Sequence, residues 1–424
     1  MLPRISPRSW IAGFSSLLVM GLILPGSLRA QVAPTETTGK MGLEDCVALS
    51  MSQQSSLTAA QASLAAAQSA LTALNRMTFA GLLSPDLPIR KQQACLGVQI
   101  AQAGVLQMEW ETRYAVTRNY FSVIYAREQY KVVKNVVEKL DRAHKQAKDF
   151  EDAGEAGLKV TKIDVDNLYI QRQFYDSRLV EAELGVEKAL AALREAIGLT
   201  QGQPLDIAED KLPNLVENLD KDTLISQALA MRGEMAQVLA ADQVTELEIR
   251  AQGRLSSLKA TTFAAGADLH AKPVPPGVAN TEYRPWPLLP EMPPFLIGHK
   301  HDRVQRAIDF KDRADAVVVK TEGLIVLDVE ATYFKWKEGA VKAKRLKSTL
   351  PAAEAVAKNV EARFYDKAKA SGEDLIRART QVNQAAVMYN EALYLHALGL
   401  AALERVTAGG YRLNPSLPAP PSQP

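Results

Sequence analysis

Between residues 88 and 150, apolar side chains recur at three- and four-residue spacing through Val116, Tyr120, Val123, Tyr130, Val133, Val137 and Leu140. This is the periodicity of one helical face. Only Gly97 and Gly104 interrupt the good helix formers, and no proline follows Pro88. At 1.5 Å per residue such a helix would run roughly 90 Å. A helix draws more of its stability from packing than from propensity, so this one needs partners along its whole length. The same periodicity predicts further helices at about 42–79, 162–197, 223–256, 303–364 and 374–406. The first of these has an alanine-rich centre, Ala59 through Ala73, which favours helix and lets neighbours come close.

Breakers set the boundaries. Leu83-Ser-Pro85-Asp-Leu-Pro88 ends the first helix, glycine-bearing turns around Gly154 and Gly372 end the two long ones, and Gly198 to Pro204 stops the third. Residues 205–207 read as extended, and Asp220 or Asp222 caps the helix that follows. Prolines crowded between Pro273 and Pro294 exclude helix there.

The order is short, long, short, twice over. Tyr120-Phe121 returns as Tyr333-Phe334 at an offset of 213, and Ala48-Leu-Ser-Met51 as Ala228-Leu-Ala-Met231 at 180. Asp164, Gln171, Ala182 and Leu193 match Asp374, Gln381, Ala392 and Leu403 at 210. The chain is therefore a duplication, with a variable insert between the first and second helices of each repeat, about 78–88 and 257–299. The expected organisation is an export signal at 1–30, a linker at 31–41, a first repeat at 42–200, a linker at 201–221, a second repeat at 222–408, and a proline-rich tail at 409–424.

Arg4 and Arg8 precede the apolar run from Trp10 to Leu24, and Ser27-Leu-Arg-Ala30 supplies a small-residue cleavage site before Gln31. That is the pattern of a secretory signal peptide. The apolar core falls short of the ~20 residues of a spanning helix. No second long apolar run follows, so any passage through a bilayer requires a closed barrel. Lys and Arg number 50 against 48 Asp and Glu, a net charge of +2. Their alternation along the helices reads as solvated faces and excludes a nucleic-acid stripe. Cys46 and Cys95 would lie on the order of 40 Å apart in an antiparallel hairpin, so both are expected free.

The residues then resemble a known family. Leu43-Glu-Asp-Cys-Val-Ala48-Leu is similar to the repeat opening of the TolC-like outer-membrane efflux channels, and Ala228-Leu-Ala-Met-Arg232-Gly-Glu234-Met resembles the second opening, which usually reads Arg-Pro-Glu-Leu. Val116 to Phe121 is similar to the mid-helix Tyr-Phe signature, and Gly372-Glu-Asp374-Leu-Ile-Arg-Ala378-Arg to the turn Gly-x-x-Asp-Leu-Leu-x-Ala-Arg. The resemblance covers about Leu43 to Ala408. It implies an all-α dominated fold of two tandem repeats of long antiparallel coiled-coil helices, an α-barrel when three chains assemble. The inserts would add strands to a shared barrel in the outer membrane, here a reduced one. The 78–88 insert is too short for two spanning strands of ~9–11 residues. The implied partners are a membrane fusion protein and an inner-membrane pump, with no cofactor.

The glycine turns are the expected periplasmic tip, with Gly154, Gly157, Asp164, Gly372 and Asp374 as docking residues. Asp366, Glu373 and Asp374, with Glu151, Asp152 and Glu155, would ring a narrow entrance if three chains converge, and converging carboxylates select cations. The competing reading for Asp164 and Asp374 is helix capping. Gly372 is expected in a left-handed conformation at its tight turn, whereas Gly339→Ala is expected to be neutral or stabilising, because Gly costs helix propensity. Tyr283, Trp286 and Phe295 suit a membrane-interface girdle. His299 and His301 have no third ligand in view, so no metal site is assigned. No nucleophile elbow, metalloprotease motif or phosphate loop is present. The expected function is a passive exit duct for efflux or type I export; the alternative is a periplasmic coiled-coil scaffold that has lost its barrel.

Overall fold

A computed structural model describes residues 40–77, 84–153, 160–200, 202–255, 299–366 and 369–413. Among them the elements are helices: α1 (Leu43–Gln53), α2 (Ser55–Arg76), α3 (Leu87–Ala153), α4 (Lys162–Ile197), α5 (Lys221–Met231), α6 (Gly233–Arg254), α7 (Lys300–Leu346), α8 (Thr349–Tyr365) and α9 (Gly372–Val406). The one β pairing among the described residues is a parallel bridge between Met41 and Ile207, where the extended stretch was expected. No described helix is long and apolar enough to cross a membrane.

The 67 residues of α3 extend about 100 Å. It packs on α1, α2, α4, α6 and α9, while α7 packs on α5, α6 and α9, and α8 on α9. All-helical repeats with partners along the long helices are thus what the periodicity implied.

Three helices predicted as continuous are each broken. α1 gives way to α2 at Gln54, which takes an extended backbone (φ −68°, ψ 121°). α5 gives way to α6 at Arg232 in the same manner (φ −72°, ψ 135°). A single extended residue leaves the apolar spacing on both sides intact, which is why periodicity did not show it. α7 ends at Leu346 and α8 resumes at Thr349, because the Pro351 ring clashes with the carbonyl four residues earlier and offers no N–H to it.

Both joints sit against the end of a shorter helix. The Gln54 side-chain amide donates to the carbonyls of Glu195 (3.3 Å) and Ala196 (3.1 Å) at the end of α4, where the last carbonyls of a helix lack the partners of a full turn. Gly198 ends α4 in the left-handed region at φ 86°, and its N–H returns to Glu195. In the second repeat the same place is held by charge: Arg232 Nη1 donates to Asp328 (2.9 Å), and Arg405 on the last turn of α9 meets Glu111 (3.2 Å) and Asp328 (3.5 Å).

The Tyr120-Phe121 pair belongs to the first core cluster, with Val116, Ile124, Cys46 and Ile207. Tyr120 Oη donates to the Met41 carbonyl (3.1 Å) and accepts from the Glu209 N–H (3.3 Å), tying the mid-point of α3 to both flanking linkers. The second cluster centres on Trp336, Val329 and Leu403. Cys46 is buried, Cys95 is exposed, and both are free; burial, reinforced by Asp45 and Glu209, pushes the Cys46 thiol up to about 12.

Candidate functional site at the paired helix starts

The starts of α4 and α9 are built alike and lie against each other. Thr161 caps α4: its Oγ1 accepts from the Asp164 N–H (3.4 Å), and Asp164 Oδ2 accepts from the Thr161 N–H (2.9 Å). Ser371 and Asp374 repeat this box on α9, at 3.1 and 3.3 Å. Each reciprocal pair satisfies two donors that a helix start leaves unbonded. Asp164 then reaches across the repeats, its Oδ1 accepting from the Glu373 N–H at 3.3 Å.

This contact gives Gly372 its role. Gly372 is the first residue of α9 and has no positive φ, so the left-handed turn expected from the sequence does not occur there. A Cβ on Gly372 would fall 2.8 Å from Asp164 Cβ and 3.0 Å from its Oδ1; glycine stands there for close approach of two helix starts. A second expectation is overturned for the same reason. A Cβ on Gly339 would lie 2.6 Å from the His396 backbone nitrogen and 2.9 Å from its Cα, so alanine is not neutral there, in the C-terminal part of α7.

Beneath the two starts lies an apolar plug of Leu140 and Ala147 from α3, Leu168 from α4, Phe364 from α8 and Leu375 from α9. Phe150 meets Phe364 edge to face at 6.2 Å. The carboxylates expected at the entrance are individually engaged: Asp366 with Lys369 (2.6 Å) and Glu373 with Arg377 (2.8 Å), while Asp374 serves its cap. Glu151 and Asp152 are exposed at the end of α3. Gly154, Glu155 and Gly157, and the aromatics Tyr283, Trp286 and Phe295, lie outside the described residues. His299 is the N-cap position of α7, and His301 lies 3.9 Å from Asp302; no described group of three His, Cys, Asp or Glu is placed to hold a metal.

Two buried ion-pair networks escaped the sequence reading. In one, Arg232, Glu234, Asp328 and Arg405 join α5, α6, α7 and α9, with every side chain within 6% of full burial. In the other, Arg90 is fully buried and pairs with Glu248 and Asp86, while Gln93 (2.9 Å) and Gln252 (2.6 Å) donate to Glu248 and Arg303 donates to Gln252 (3.1 Å). Burial alone would raise the Glu248 carboxyl, but Arg90 and then the two amides hold it below the ordinary carboxylate range. The signal for the first network was present in Arg232-Gly-Glu234. The second gave no such signal, because Asp86, Arg90 and Gln93 at the start of α3 and Glu248 and Gln252 on α6 recur at helical spacing and read equally as solvated polar faces.

No family profile and no curated sequence matches the chain. Solved structures do. The outer-membrane channel OprN is 14% identical over 87% of this chain and 90% of its own, with a TM-score of 0.69. The CmeC outer-membrane channel of Campylobacter jejuni is 13% identical over 87% and 86%, at 0.63, and the outer-membrane protein VceC of Vibrio cholerae 11% identical over 87% and 97%, at 0.66. From its first short helix to its last, this chain has the fold of the TolC-like outer-membrane channels.

Proposed function

We propose that the protein is the exit duct of an efflux or type I export system, a passive conduit assembled from three chains. The observation that carries this reading is the duplicated short-long-short helix array, which matches channel structures along 87% of the chain. Trimer formation is supported by apolar side chains that a single chain leaves in water. Ile163 (71% exposed), Ile170, Phe174 (60%) and Leu184 lie toward one side of α4, with Phe334 and Val356 exposed on α7 and α8; surfaces of this kind mark association. The paired starts of α4 and α9 would be the periplasmic tip that meets a membrane fusion protein and, through it, an inner-membrane pump. Export by a signal at 1–30 delivers the chain to the periplasm and outer membrane.

The test is conductance of the purified protein in planar bilayers. Discrete channels are the expected result, and silence across a range of protein loads would sink the conduit.

A second reading rests on a specific dimension. α2 ends at Arg76 and α3 begins at Leu87, too close in sequence for two spanning strands of ~9–11 residues each. A periplasmic coiled-coil scaffold needs no such strands. Recovery in the soluble periplasm without detergent favours the scaffold; recovery only by detergent from outer membranes favours the duct.

A further inference from the structure

The segment joining the two repeats borders a groove of about 820 Å³ that neither the paired helix starts nor the ion-pair networks use. Its apolar lining comes from Tyr125 of α3, Tyr389 and Leu393 of α9, and Leu212 and Leu215 of the joining segment. Tyr125 is held in place by stacking on Tyr394, with centroids 4.5 Å apart and planes 12° apart. An aromatic surface is therefore formed before any guest arrives.

The charges around this lining do not cancel. Lys344 pairs with Glu217 (2.8 Å), and Glu128 with Lys131 (2.8 Å). Lys211, Lys347 and Asp210 also line the groove, are exposed, and have no ion-pair partner among the described residues. Two cations against one carboxylate leave a surplus of one positive charge. Lysines at the end of a helix offset its dipole, which accounts for Lys344 and Lys347 where α7 ends. It does not account for Lys211, which stands on a segment without helix.

We propose that the groove binds a small, soluble organic acid with an aromatic body and a single negative charge. The body lies against Tyr125 and Tyr389, and the acid group turns toward Lys211 and Lys347. The volume is that of a small-molecule pocket, and such pockets join aromatic and aliphatic walls to a few polar groups that fix orientation. Ring on ring adds to the burial of apolar area. The surplus charge selects an anion over a neutral or cationic molecule with the same body, and Asp210 repels a second acid group. Because the lysines stand in water, the selection for charge is screened by salt while the apolar part is not.

The experiment titrates naphthalene-2-sulfonate into the full chain by calorimetry, in matched detergent buffer. Saturable binding at one site per chain is expected, roughly tenfold tighter than that of the neutral naphthalene-2-sulfonamide and weakened by added salt. Replacing both lysines (Lys211→Gln with Lys347→Gln) should remove the preference for the sulfonate and leave the sulfonamide as it was. Naphthalene-2,6-disulfonate should bind more weakly than the monosulfonate, and Asp210→Asn should narrow that gap. Tyr389→Ser should weaken sulfonate and sulfonamide alike with the thermal midpoint unchanged; Leu212→Ser takes its place if Tyr389→Ser melts early. Absence of saturable binding overturns the proposal, as does equal affinity for the sulfonate and the sulfonamide. Binding indifferent to the lysine pair and to both apolar substitutions puts the anion elsewhere and overturns it too. Tighter binding of a hexaglutamate peptide than of naphthalene-2-sulfonate would make the groove a site for an acidic segment of another protein, and would equally overturn it.

Discussion

An alanine at Gly339 would set its methyl against the His396 backbone on α9, and one at Gly399 would strike the Trp336 backbone on α7. The two glycines let α7 and α9 approach closely, and Trp336 and His396 are buried where they do. Over-packing of this kind costs ~1–3 kcal/mol. Gly339→Ala should therefore lower the melting temperature, as scanning calorimetry would read, although helix propensity alone predicts a gain. Gly372→Val is expected to behave differently. It displaces Asp164 at the end of the helical pair, so the melt should change little while drug accumulation rises in cells that depend on the duct. A Gly372→Val protein that exports normally would remove the tip from the mechanism. The glycine positions themselves were legible in the sequence; their reason was not, because an approach of two backbones has no period along one chain.

Helix existence, order and duplication were legible because long amphipathic faces repeat many times, whereas joints of one extended residue at Gln54 and Arg232 leave no trace in that repeat. The element ends near the inserts are held by side chains the periodicity could not single out. Arg90 at the start of α3, Glu248 and Gln252 near the end of α6, and Arg303 at the start of α7 bind three helix ends into one buried network. Removing one member of a buried ion pair leaves the other charge unmatched and costs ~3–5 kcal/mol, so Arg90→Met should produce a large drop in denaturant midpoint. The pH dependence follows from the lowered Glu248 carboxyl. A carboxyl depressed in the folded state contributes stability above its unfolded value and loses it as pH falls through the folded value. Acid unfolding below the ordinary carboxylate range should thus be steep in the natural chain and shallower in Glu248→Gln, which has no such proton to take up. Equal slopes in the two proteins would show that Glu248 does not govern the acid limb.

At the scale of the whole molecule, the two readings of function differ in what holds the protein at a membrane. The first insert is bounded by α2 and α3 and is too short to span; the second runs from Leu255 to His299 between α6 and α7 and has ample length for a strand pair. α6 and α7 pack together, and Arg303 Nε reaches Gln252 at 3.1 Å, so the ends of that insert are adjacent. A short Gly-Ser linker can therefore replace residues 258–297 without pulling the helices apart, and the buried Arg90 network stays whole. If the second insert supplies the membrane anchor, the deletion should release folded helices, with an unchanged far-ultraviolet spectrum, from the outer membrane into the soluble periplasm. Cross-linking should still return trimers, because the exposed apolar residues of α4 are untouched, and Phe174→Glu in the same background should disperse them. A deleted protein that remains in the outer-membrane fraction would mean that the insert is not the anchor, and the reduced barrel would have to be given up.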